Sequence, residues 1–111
     1  MKLSKFKATL ESLGFPVAYD HFENPQKTPC IVFKFPDTDN FAADGKVYCK
    51  VYQLDVELYT DLKSPELEAK VEELLDSYEL FYERTETYFE SEKLYEVLYE
   101  MEVLLDAEEQ D

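Results

Sequence analysis

A chain of 111 residues is long enough for one domain with a real core, and it leaves no room for a catalytic domain beside a binding one. Its 45% hydrophobic content, with 9 Tyr and 8 Phe, excludes general disorder, because disordered chains are poor in aromatic and β-branched residues. The formal charge of −15 argues against binding to nucleic acid or anionic lipid, since both need clustered Lys and Arg.

That charge is unevenly placed. Residues 1–50 hold 7 Lys against 6 Asp and Glu, whereas residues 51–111 hold 4 Lys and Arg against 20 Asp and Glu, so the halves carry +1 and −16. A single domain over 1–105 followed by a frayed acidic tail, 106–111, is expected. No apolar run reaches the roughly 18 residues that cross a bilayer, and the first seven residues lack the apolar stretch of a signal peptide. A cytosolic chain is therefore expected. Two isolated cysteines, Cys30 and Cys49, fit neither a disulfide scaffold nor a zinc pattern, so both are expected to be free thiols.

In chain order, Leu3, Phe6, Leu10 and Leu13 recur every three or four residues and predict an amphipathic helix that Gly14 and Pro16 end. Residues 17–22 form a short candidate strand, and Asn24 to Pro29 is turn-rich. Residues 30–35, Cys-Ile-Val-Phe-Lys-Phe, predict the next strand, and 36–45 a polar loop interrupted by Phe41. Residues 47–60 predict one long strand. Tyr48, Tyr52, Leu54, Val56 and Leu58 share one face, with Gln53, Asp55 and Glu57 on the other. Val47, Cys49 and Val51 make its first half apolar on both faces, which marks either a doubly covered segment or a contact surface. Closing a hairpin over 37–46 would set Lys34 opposite Cys49, which argues against a Cys30–Cys49 disulfide.

Ser64-Pro65-Glu66 predicts a helix start, with serine capping free N–H groups, proline in the first turn and glutamate at the positive end. Leu67, Val71, Leu74, Leu75 and Tyr78 form its buried stripe. Glu66, Glu68, Glu72, Glu73 and Asp76 read as a solvated face, with a modest Glu66–Lys70 ion pair. Residues 81–89 and 95–105 predict a final antiparallel hairpin. The preferred register sets Phe89 opposite Tyr95, Thr87 opposite Val97, Thr85 opposite Tyr99 and Arg84 opposite Glu100, because a one-residue slip would oppose Glu83 and Glu100. It leaves Glu96, Glu100 and Glu102 on an acidic outer face with Leu98 and Leu104 among them. The assembled order, α-β-β-β-α-β-β, predicts an α+β fold: an antiparallel or mixed sheet of four to five strands with both helices on one face.

Chemistry is sparse along the chain. Two glycines exclude the common phosphate-cradling loops, no Gly-x-Ser-x-Gly turn occurs, and His21 has no sequence neighbour that suggests an activated nucleophile. Asp37-Thr38-Asp39-Asn40 starts like a calcium loop, but Ala42 stands where the sixth-position glycine belongs and Tyr48 where the twelfth-position glutamate does. No catalytic, cofactor or metal residues are assigned. Phe35, Phe41, Tyr48 and Tyr52 are the candidate subunit-interface residues, since they cluster around the predicted long hairpin.

Four segments taken together carry a family resemblance: Gly14-Phe15-Pro16-Val17-Ala18-Tyr19, Asn40-Phe41-Ala42-Ala43-Asp44-Gly45-Lys46-Val47-Tyr48, Glu57-Leu58-Tyr59-Thr60 and Glu90-Ser91-Glu92-Lys93-Leu94-Tyr95. Over roughly residues 14–103 the chain resembles tail-terminator, or head-to-tail joining, proteins of long-tailed bacteriophages and Gram-positive prophages. The resemblance implies a non-enzymatic α+β subunit that assembles as a homo-oligomer, usually a six-fold ring, at the head-proximal end of the tail tube. Tail-tube and head-connector proteins would be its partners. It would reside in the bacterial host cytoplasm during assembly and then in the virion tail or head–tail junction, with no membrane contact, no specific nucleic-acid binding and no cofactor. An acidic lumen would let DNA pass without sticking. Three other readings of the charge are an acidic DNA mimic that occupies the basic groove of a nucleic-acid-binding protein, a hydrolase built on two converging carboxylates, and a surface serving solubility alone.

Overall fold

The computed structural model describes residues 1–38, 41–43, 46–49 and 51–104, with the backbone alone for 41–43 and 46–49. The tail 106–111 and the side chains of Phe41, Tyr48 and Cys49 lie outside the described residues. The fold is α+β, with elements α1 (Leu3–Glu11), β1 (Val17–Tyr19), β2 (Cys30–Thr38), β3 (Phe41–Ala43), β4 (Lys46–Cys49), β5 (Tyr52–Thr60), α2 (Pro65–Ser77), β6 (Tyr82–Phe89) and β7 (Leu94–Val103).

Both helices form for the reasons their sequences give. Phe6 and Leu10 of α1 are fully buried, and after the helix Gly14 takes a left-handed φ of 96° that a side chain would resist. In α2 the Ser64 hydroxyl accepts a hydrogen bond from the Leu67 N–H at 3.4 Å ahead of Pro65, and Val71 and Leu75 are fully buried. The helices meet where the Phe6 and Tyr78 rings stack edge to face at 5.4 Å and Thr9 Oγ1 lies 3.2 Å from the Tyr78 hydroxyl.

Five strands make a mixed sheet in the order β1-β2-β5-β7-β6. Side chains alternate across it. Ile31 and Phe33 of β2, Leu54, Val56 and Leu58 of β5, and Val97, Tyr99, Met101 and Val103 of β7 point to one face and form a single core with α1 and α2. Each fully buried Leu, Val or Phe there contributes about 1.5–3 kcal/mol relative to exposure. Both helices therefore cover one face, and the other lacks a helical layer.

Several expectations are corrected. The first strand, expected over 17–22, stops at Tyr19; it runs parallel to β2, Val17 beside Ile31, which makes the sheet the mixed one of the two expected kinds. Polar composition predicts a loop over 36–45, yet β2 continues to Thr38 and β3 occupies Phe41–Ala43. The long strand over 47–60 is two: β4 pairs with β3 in a separate ribbon, and β5 enters the main sheet. Lys34 consequently faces Asp55, not Cys49, which instead pairs with Phe41. The two residues between β3 and β4 are Asp44-Gly45, a dipeptide that tight hairpin turns favour.

The β6–β7 register also differs by one residue from expectation. Phe89 faces Leu94, Tyr88 faces Tyr95, Arg84 faces Tyr99, and Glu83 faces Glu100. Two strands alone favour the register that separates Glu83 from Glu100. The third partner decides otherwise, because the observed register turns Arg84 toward α2, where Glu68 lies buried. Glu68 is thus not part of a solvated helix face. The expected Glu66–Lys70 pair is not among the salt bridges of the described residues.

Candidate functional site

Three features could carry function: an ion network on the helix side of the sheet, an acidic face on its other side, and an aromatic cluster on β1, β2 and β5.

The ion network is built on Arg84, the sole arginine of the chain. Its guanidinium bonds to Glu68, lies 3.1 Å from Glu86 Oε1 and approaches Glu72 Oε2 at 3.8 Å. Lys63 bonds to Glu68 Oε2 at 2.6 Å and also to Glu86, and the Tyr99 hydroxyl donates to Glu72 Oε2 at 2.8 Å. These contacts hold the Lys63 ammonium protonated to higher pH than usual, mainly through Glu68, and depress the Glu86 carboxyl, mainly through Lys63. Every charge here has an opposite partner, so the network fastens α2 to β6 and has no free group for chemistry. Sequence reading missed it, although a lone arginine within reach of a Glu-x-x-x-Glu helix, Glu68 to Glu72, was a visible signal.

Across the sheet the balance is opposite. Asp55, Glu57, Glu83, Glu96, Glu100 and Glu102 all occupy outward positions on β5, β6 and β7, with Asp55, Glu100 and Glu83 in one cross-strand row. Lys34 on β2 is the cation facing them, opposite Asp55 and 3.9 Å from Glu57. Burial pushes the Asp55 carboxyl up, and its Oδ1 is enclosed without a hydrogen-bond partner. Burial likewise raises Glu57, against the lowering effect of a bond from Tyr59.

The Tyr59 hydroxyl lies 2.8 Å from Glu57 Oε2 and 2.8 Å from Glu96 Oε2. The hydroxyl is the donor in both contacts, so its one proton is shared between the two carboxyl oxygens. Tyr59 itself is held protonated by burial and by both carboxylates. Two acidic groups do converge here, but a tyrosine fills the space between them.

Beside Tyr59 a cleft of about 450 Å³ is bounded by Phe22, Pro25, Cys30, Val32 and Leu94. Cys30 is a free, buried thiol, and burial raises its pKa, which disfavours the reactive thiolate. His21 is exposed, with Nδ1 2.9 Å from Asp20 Oδ2 and Nε2 3.4 Å from Glu23 Oε1, and the Asp20 bond raises its pKa. At the far end of the sheet a second cleft, about 530 Å³, lies among Phe81, Leu80, Met101 and the carboxylates of Glu79, Glu83, Glu100 and Glu102. Among the described residues no group of three or more His, Cys, Asp or Glu side chains is placed to hold a metal ion. Among the described residues no helix is long and apolar enough to cross a membrane.

Of the four candidate interface residues, Phe35 and Tyr52 come together, with ring centroids 5.5 Å apart. Phe35 also meets Tyr19 at 6.1 Å, Tyr19 meets Phe33 at 5.4 Å, and the Phe35 N–H donates to the Tyr19 hydroxyl at 3.2 Å. Tyr19 is 48% exposed, whereas Phe35 and Tyr52 are half-buried against the core. Phe41 and Tyr48 fall on β3 and β4, in the separate ribbon, and their side chains lie outside the described residues. The chain matches no protein-family model, and no curated protein sequence matches it.

Proposed function

We propose that the protein is a structural subunit of a long-tailed phage or prophage particle, assembling as a ring at the head-proximal end of the tail tube and joining it to the head connector. The observation that carries this reading is the segregation of surfaces. An outer sheet face with six carboxylates against Lys34 is separate from the aromatic cluster in which Tyr19 is exposed and Phe35 and Tyr52 are half-buried over the core Phe33. A ring needs both kinds: apolar surface for neighbouring subunits, and an anionic wall along which DNA slides without binding. The sequence resemblance over residues 14–103 points the same way. A hydrolytic role gains little from the Glu57–Glu96 pair, because Tyr59 occupies the gap a substrate would need.

Deleting the gene from its phage and imaging the particles by electron microscopy tests the proposal. Overlong or headless tails are expected, and normally joined virions would overturn it. The same carboxylate face also suits a DNA mimic. A monomeric chain that captures a basic DNA-binding protein, and loses it on Glu96→Gln with Glu100→Gln, would favour that alternative.

A further inference from the structure

β6 is the outer strand of the sheet, and no described strand pairs with its free side. The other outer strand, β1, is three residues long, whereas β6 runs eight residues in one unbroken register against β7, without proline, glycine or lysine. Long plain edges of this kind pair with other chains unless they are blocked. Phe81 at its start is 83% exposed, and Tyr88 and Phe89 at its end are 46% and 38% exposed.

The sequence of this edge says what pairs with it. Residues 81–89 read Phe-Tyr-Glu-Arg-Thr-Glu-Thr-Tyr-Phe, which is nearly the same in both directions about Thr85. Set antiparallel to a second copy across a two-fold axis at Thr85, each residue meets a suitable partner. Phe81 faces Phe89, Tyr82 faces Tyr88, Arg84 faces Glu86, Glu83 faces Thr87, and Thr85 faces itself. Residues of like parity oppose one another throughout, so side chains on the helix side meet side chains on the helix side, and the ladder hydrogen bonds are in phase. Shifting by one residue on each copy loses this match: one direction opposes Arg84 with Arg84 and the other Glu86 with Glu86. Strongly anionic chains repel one another, and of these three registers only the one centred on Thr85 brings no like charges opposite across the strands.

We infer that the protein forms a two-fold dimer through β6, joining two five-stranded sheets into one continuous ten-stranded sheet with the four helices on a single side. The contact is isologous and closes at two copies, so it is distinct from the head-to-tail contacts of a ring and does not rest on the tail reading.

Sedimentation of the full chain over a concentration series should show a monomer–dimer equilibrium. Thr87 is exposed on β6, so its variants retain the fold, which circular dichroism verifies. Thr87→Glu places carboxylates opposite Glu83 at two symmetric positions and should weaken the dimer about tenfold, while Thr87→Lys should tighten it by a similar factor. Asn24→Lys makes the same charge change away from the edge and should do markedly less. Register is read by oxidation: Thr85→Cys should cross-link to itself beyond the unsubstituted chain, and Phe81→Cys should cross-link with Phe89→Cys but neither with itself. A monomer at every concentration would overturn the inference. So would a dimer indifferent to Thr87, one that Asn24→Lys tightens equally, or one with a different cross-linking pattern.

Discussion

The two faces of one sheet handle charge in opposite ways. On the helix side, Glu68 is buried but is met by Arg84 and Lys63, and the neighbouring Glu72 receives the Tyr99 hydroxyl. On the outer side, Asp55 has an enclosed oxygen with no partner, Glu83 stands opposite Glu100, and Lys34 reaches only the β5 carboxylates of Asp55 and Glu57 among the described residues. Charge on the first face fastens elements together. On the second, most of it has no opposite charge beside it.

The comparison breaks most readily at Arg84. Arg84→Met leaves Glu68 facing α2–β6 packing with one cation fewer, and a loss of about 2 kcal/mol is expected, below the figure for fully buried pairs because Arg84 is partly open to solvent. Urea unfolding at pH 7 measures it. The contrast with the outer face is sharper if Glu68→Leu is added, since the apolar pair should recover most of the loss. An Arg84→Met variant as stable as the parent would mean the network is ornamental.

A smaller loss is expected at Tyr99. Its ring is fully buried against Tyr82 at 5.4 Å, and Tyr99→Phe keeps that packing while removing only the bond to Glu72. The cost should be about 1 kcal/mol by the same unfolding measurement.

The opposite sign is predicted across the sheet. Asp55→Asn removes a charge whose Oδ1 is enclosed and unpaired, and it relieves repulsion from Glu100 in the same row. The variant should be more stable than the parent at pH 7 by somewhat under about 1 kcal/mol. A clear destabilisation would show instead that the Lys34–Asp55 pairing outweighs burial.

How much of this was legible in the sequence depends on how local the cause is. Serine and proline at the start of α2, the apolar spacing of both helices, and the alternation from Tyr52 to Thr60 all act within one element, and the predicted elements match. The parallel partner of β1 could not be read, because three residues carry no record of strand direction. The break between β4 and β5 has no Gly or Pro to mark it, whereas Asp44-Gly45 did offer a turn signal within the polar stretch. The β6–β7 register was settled by α2, a third element, through Glu68 and Arg84. For the candidate interface, aromatic content pointed to Phe35 and Tyr52, but Tyr19, the most exposed of that cluster, was assigned only to a short strand.

The finest test of the two faces is the dependence of stability on pH. Folding raises the carboxyl pKa values of Asp55 and Glu57, chiefly by burial, so the native state takes up protons at a pH where the unfolded chain is still ionised. Their contribution therefore grows as pH falls from neutral toward the ordinary glutamate value of 4.5. Glu86 has the opposite sign: its pKa is lowered by Lys63 and Arg84, so its contribution is present above the ordinary value and is lost as pH falls through the depressed one. Since the first effect acts above the ordinary glutamate value of 4.5 and the second sets in at that value, stability should first rise on acidification from pH 7 and begin to fall below it. Urea midpoints at successive pH values would trace this. In a His21→Gln background, which removes the gain that the raised His21 pKa adds near neutrality, the double variant Asp55→Asn, Glu57→Gln should lose the rise while keeping the fall. A parent curve that only declines from pH 7 to pH 5 would mean that the outer carboxylates are solvated well enough to behave as ordinary surface groups, and the difference between the faces would then be one of pairing alone.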